Sequence, residues 1–166
     1  MPTTKSDFKE YTIQLTVVTR LYAPYLSPLE FIRKKEIQSV LECYKKHENP
    51  TEDDLEVLSH LDRAFRRDFF CRPYVPMSML SGALREVSPE IVVRGEVLIL
   101  PREHVLVESK ITPHYRMTAE YLEPTMLEFN AVARLPKELE GKPLQIRMGG
   151  GAAKGFGSAI VVFKPE

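Results

Sequence analysis

The feature that most limits the fold of this chain is a glycine-rich turn between two strand-like runs near its C-terminus. Five of the eight glycines fall in Met148–Phe163, read as MGGGAAKGFGSAIVVF. Upstream, Leu144 to Met148 alternates apolar and polar residues, and Ser158 to Phe163 has the composition of a strand. The unit is strand, glycine turn, strand. Glycine permits positive φ and carries no Cβ, so another chain or a ligand can approach the backbone. Lys154 places one cation amid exposed N–H groups, a combination that suits a phosphate. The same turn also reads as a tight structural β-turn packed on a helix. It is not a Walker A loop, because Gly-Lys is not followed by Ser or Thr. No helix follows it to receive a pyrophosphate, which excludes a dinucleotide fingerprint.

The 166 residues fit one domain, 1–166, and 43% hydrophobic with 28% charged residues is enough for a real core. Net charge is zero, which argues against tight nucleic-acid binding by charge alone. Cys43 and Cys71 show no CxxC or Cys/His spacing, so reduced, buried thiols of a cytoplasmic protein are expected rather than a disulfide. No run is long and apolar enough for a membrane span, and MPTTKSDFKE lacks a signal-peptide core. No metal spacing or cofactor motif is present.

Tyr11, Ile13, Leu15 and Val17 mark one face of a first strand. Ser27-Pro28 reads as a helix start, and apolar spacing carries that helix to about His47. Thr51 caps a second helix whose stripe, Leu55, Leu58, Leu61 and Phe65, runs to about Phe69. Residues 28–70 are thus expected as a helical-hairpin insertion. A shorter helix spans Met77 to Val87. Beyond Glu90 the pattern is β, with a bulge or kink at Gly95, a short strand at Val105–Val107, and a hairpin of His114–Tyr121 with Met126–Leu135 about Glu123-Pro124-Thr125. The order predicts an α+β fold whose simplest parent is the ferredoxin-like, RRM-like βαββαβ antiparallel sheet, with the insertion after its first strand. The second helix of that parent has room only in 101–113 or 136–142.

Two segments together resemble the RAMP superfamily, the RNA-binding proteins of CRISPR effector complexes. They are Arg72-Pro73-Tyr74-Val75-Pro76-Met77-Ser78-Met79-Leu80-Ser81-Gly82-Ala83-Leu84-Arg85 and the loop Gly149 to Gly157. In that family an extended aromatic-Val-Pro segment opens the first helix of a ferredoxin-like domain, and a Gly-Phe-Gly loop lies near the C-terminus. The resemblance implies a cytoplasmic subunit that lines a guide RNA (crRNA) alongside other subunits of an antiviral complex. It carries over as RNA contacts Ser78, Arg85, Gly150, Gly151, Lys154, Gly155, Phe156 and Gly157, with Arg147 in the strand entering the loop. Three departures from the family pattern weigh against strong RNA binding. Met77 stands for the usual glycine, Ser81 for a basic residue, and Ala152-Ala153 for polar ones.

Arg63, Arg66, Arg67 and Arg72 form the densest positive cluster, read as a basic face for RNA or as a solvated helix face. Asp62 and Asp68 lie among these arginines and are expected to pair with them. Arg85 reads as an RNA contact or a dipole partner at a helix end, and Lys45, Lys46 and His47 as dipole partners. Some relatives of the resembled family process RNA without metal, and His114 or His104 would be the acid/base there. The loop Thr19 to Ser27 holds no aspartate of the kind with which some backbone subunits cut RNA. A protein–protein module without RNA contact is the remaining alternative, and open strand edges point to self-association.

Overall fold

The computed structural model describes residues 7–149 and 155–166. The fold is α+β, a curled antiparallel sheet with three helices among the described residues. The large sheet contains β1 (Lys9–Val17), β5 (Val92–Arg94), β9 (Met126–Arg134), β10 (Leu144–Arg147) and β11 (Ser158–Pro165), in the order β10-β11-β1-β9-β5. β1 lies at the centre because both of its edges are paired, Ile13 opposite Phe163 on one side and Phe129 on the other. Its alternation works as expected, with Tyr11, Ile13, Leu15 and Val17 all buried.

One face of the sheet is covered by α3 (Met77–Val87), with the bounds its periodicity predicts. Met77, Leu80, Ala83 and Leu84 turn inward at i, i+3, i+6 and i+7 and join the main core. Burying the side chains of Met77, Leu80 and Leu84 is worth about 1.5–3 kcal/mol each. The segment Ile91–Leu100 does not continue as one strand. Gly95, at φ +147°, bends it so that β5 joins the large sheet while β6 (Val97–Ile99) pairs with β4 (Pro73–Pro76). A third small sheet joins β2 (Leu21–Tyr22), β8 (Arg116–Leu122) and β7 (Val105–Ile111).

Five expectations change. The first helix, α1 (Glu30–His47), starts two residues late, with Leu29 at its N-cap and Ser27 Oγ accepting from the Leu29 N–H at 3.2 Å. The second, α2 (Glu52–Leu58), has the predicted Thr51 capping box but stops at Leu58. Asp62 explains the stop. Its backbone N–H donates to Thr118 O at 2.8 Å, its carboxylate accepts from Thr118 N at 2.9 Å, and Arg33 Nη2 sits 2.6 Å from it. β8 thereby draws residues 61–65 into extended chain, and Leu61 and Phe65 reach the core without a helix. The helical-hairpin insertion therefore ends near residue 58, not 70. Next, β8 and β9 are not a hairpin, because the turn at Pro124 passes the chain from one sheet to another. β8 pairs with β7 and β2, β9 with β1 and β5. Neither 101–113 nor 136–142 holds a second α-helix; each has one 3-10 turn, Arg102–His104 and Lys137–Leu139. Finally, Cys43 and Cys71 form a disulfide with Cα atoms 5.4 Å apart, not two free thiols. The end of α1 packs beside the turn after β3 (Arg66–Arg67), a proximity that spacing alone does not reveal.

No helix is long and apolar enough to cross a membrane among the described residues.

Candidate nucleic-acid interface

The glycine-rich turn joins β10 to β11, whose register runs from Leu144 opposite Val161 to Arg147 opposite Ser158. Gly150, Gly151 and Lys154, with the rest of residues 150–154, lie outside the described residues. The two limbs are well fixed. Gly149 has φ +81°, and a Cβ there would run into Leu21. Gly157 has φ +75°, and a Cβ would overlap the Met148 carbonyl oxygen. The return limb is tied to the end of β1. Gly157 N donates to Arg20 O at 2.8 Å, Thr19 Oγ1 donates to Gly155 O at 3.0 Å and accepts from Ser158 N at 2.9 Å.

Phe156 is half-buried and meets the Tyr22 ring edge-on, centroids 4.9 Å apart. It packs with Tyr22 and Tyr121 rather than lying face-open for a base. Tyr22 Oη donates to Glu108 at 2.6 Å, Arg20 pairs with that carboxylate at 3.0 Å, and Arg20 lies 4.4 Å over Tyr121. Burial and the bond to Glu108 raise the Tyr22 pKa above its ordinary value.

The strand that enters the glycine-rich turn meets the helix that begins within the first motif. α3 packs on β10, and a cleft of about 520 Å³ opens between them. Ala83, Glu86 and Val87 of α3 form one wall, while Gln145, Arg147 and Ser158 form the other. Arg147 is exposed at this mouth. Arg85 and Ser78 are also exposed on α3, but neither lines the cleft.

The four arginines do not form one patch, since they are not on a helix. The Arg67 side chain is 3% exposed and grips Glu120, which is fully buried, through Nη2–Oε2 at 2.6 Å and Nη1–Oε1 at 2.9 Å. The same carboxylate accepts from Tyr44 Oη at 2.7 Å and Phe65 N at 3.0 Å, so all parties to this buried charge are satisfied. Burial alone would lower the Arg67 pKa, but Glu120 more than offsets it and holds the guanidinium above its ordinary value. Arg63 stacks 3.5 Å over Tyr25, and Arg72 pairs with Asp68 at 2.7 Å. Arg66 alone of the four is an exposed cation without such a partner among the described contacts, and it borders a second groove of about 940 Å³. That groove runs between α1, the loop before it and β3–β4, lined by Tyr25, Lys35, Phe65, Tyr74, Val75 and Met79 among others. Its signal in the sequence was Tyr25 set between Pro24 and Pro28.

His104 and His114 are held apart by the β7–β8 hairpin. His104 Nδ1 lies 2.7 Å from Glu123 at its base, and His114 is exposed in the turn at its tip. Among the described residues, no nucleophile or cation joins His104 and Glu123. No group of His, Cys, Asp and Glu residues fit to hold a metal occurs among the described residues.

Compared with known protein families, curated proteins and solved structures, the chain has no match.

Proposed function

We propose that this chain is an RNA-binding subunit of a RAMP-type, CRISPR-associated ribonucleoprotein, holding the guide backbone between the glycine-rich hairpin and α3. The observation that carries the reading is the shared cleft. The β10–β11 hairpin that carries the glycine-rich turn and α3, the helix that begins within the first motif, wall the same 520 Å³ space. Strand order supports it as well. In β11-β1-β9-β5 the first and third strands of a βαββαβ unit would be central, with the fourth outside the first and the second outside the third. α3 sits in the first crossover, and β10 stands where the parent fold has its second helix. Backbone N–H groups and a few cations then recognise phosphates by position, and a neutral chain gains affinity from neighbours that each add a few contacts.

The test is binding of a fluorescent single-stranded RNA by the nucleic-acid-free protein at about 50 and 200 mM salt. The Arg85→Ala/Lys154→Ala double variant is expected to bind more weakly with an unchanged melting temperature. It should also lose about 1.4 from the log–log salt slope, roughly 0.7 per phosphate contact on a single strand. Unchanged affinity and slope would make the loop a structural turn.

A further inference from the structure

Phe69 is 93% exposed and Phe70 66% exposed, two adjacent phenyl rings standing in solvent with centroids 5.5 Å apart. They occupy the turn between β3 and β4, and that turn is braced. Asp68 Oδ1 accepts from Phe70 N at 2.9 Å and Arg72 N at 2.8 Å, and Asp68 Oδ2 meets Arg72 Nε at 2.7 Å. Asp68 N donates to Arg72 O, and Cys71 N to Asp68 O, both at 3.0 Å. Cys71, at φ +60°, is bonded to Cys43 of α1. Arg72 lies 5.3 Å from the Phe70 ring. The rings cannot fold back onto their own core. Pre-ordering of this kind lowers the entropy lost on binding.

The receptor for such a knob is on the same molecule. The 940 Å³ groove has apolar walls at Leu26, Val40, Phe65, Val75 and Met79. It is at the upper end of the roughly 300–1,000 Å³ range of pockets that enclose drug-sized ligands, enough for two rings. Its lining includes the exposed ring of Tyr25 and Lys35, whose ammonium lies over the exposed Phe31 ring of α1. Knob and groove share one hairpin, since Arg66 and Tyr74 line the groove and pair across β3–β4. Adjacent, complementary features suit a two-fold axis, where each copy fills the other's groove and the assembly closes. Four phenyl rings at about 150–250 Å² each, plus the walls they cover, exceed the roughly 1,000 Å² that a specific interface needs. Zero net charge puts no long-range repulsion between copies.

We infer that this chain forms a two-fold dimer in which Phe69 and Phe70 of each copy seat in the α1/β3–β4 groove of the other. The inference does not depend on RNA binding and is tested on nucleic-acid-free protein by sedimentation velocity across the micromolar range. Wild type should reach twice the chain mass. Phe69→Ser/Phe70→Ser should raise the dissociation constant at least roughly a hundredfold, as expected for central aromatic anchors. Ser39→Arg, on the exposed face of α1 at the groove wall, should do the same from the receptor side without touching the core. Mixing the two variants leaves one knob and one groove intact and should restore part of the dimer. A monomeric wild type, or a serine variant that dimerises like wild type, overturns the inference. So does a monomeric wild type whose two phenylalanines are needed for binding lipid vesicles or RNA.

Discussion

Replacing Glu120 with glutamine isolates the buried charge that joins three parts of the fold. Glu120 on β8 is fully buried and accepts from Arg67 beside β4, Tyr44 of α1 and the Phe65 backbone. Glutamine keeps the shape and one acceptor oxygen but removes the negative charge opposite a guanidinium only 3% exposed. An uncompensated buried charge of this kind costs about 3–5 kcal/mol. For a chain of this length about 2–4 °C is lost per kcal/mol, so the melting temperature should fall by roughly 6–20 °C. Urea unfolding should show a lower midpoint with an unchanged slope. The diagnostic step is a second substitution. In the Glu120→Gln background, Arg67→Met removes the stranded cation and should recover stability. If Arg67→Met lowers stability further in that background, the damage lay in packing and the electrostatic argument is wrong.

Glycine chemistry gives a paired prediction: Gly157→Ala should destabilise by about 2 kcal/mol or more, since φ is +75° and the new methyl meets the Met148 carbonyl. Gly82→Ala, in α3 with nothing within 4 Å, should instead stabilise by about 0.5–1 kcal/mol, and chemical denaturation of both distinguishes a required glycine from a replaceable one. Alkaline pH gives another prediction. Burial, then the neighbouring carboxylates, raise the phenol pKa values of Tyr11, Tyr22 and Tyr44 above 10.0. A raised folded pKa gives stability that is fully present below the unfolded value near 10 and is lost as pH climbs through the folded one. Ultraviolet titration should therefore show these three of the seven tyrosines ionising at higher pH than a free phenol; all seven titrating near pH 10 in a folded protein would contradict it.

What the sequence made legible was local. β1, α3 and the Thr51 cap each follow from a period or a cap within a dozen residues, and the structure has all three. The errors arise where a distant strand competes with a local pattern. Leu61 and Phe65 continue the spacing of α2, yet β8 captures Asp62 and Arg63 and straightens the chain between them. Pro124 marks a turn, but a turn does not say which sheet receives the next strand. The Cys43–Cys71 bond and the Glu120–Arg67 pair join positions that only the folded chain brings together. At the site, the motif positions were legible and the packing of α3 against β10 was not, while Phe156 turned out to be packed against Tyr22.

The central place of β1 also sets an order of events during synthesis. Its hydrogen-bonding partners are β9 and β11, with Val17 opposite Ala159. A ribosome adding about 5–20 residues per second leaves β1 without its final neighbour for roughly 7–30 s. α1, α2 and α3 can form locally in that interval, but the sheet cannot close. The nascent chain therefore emerges with a finished apolar strand and two open edges, and for those seconds it depends on chaperones or on dilution to avoid pairing with the wrong strand.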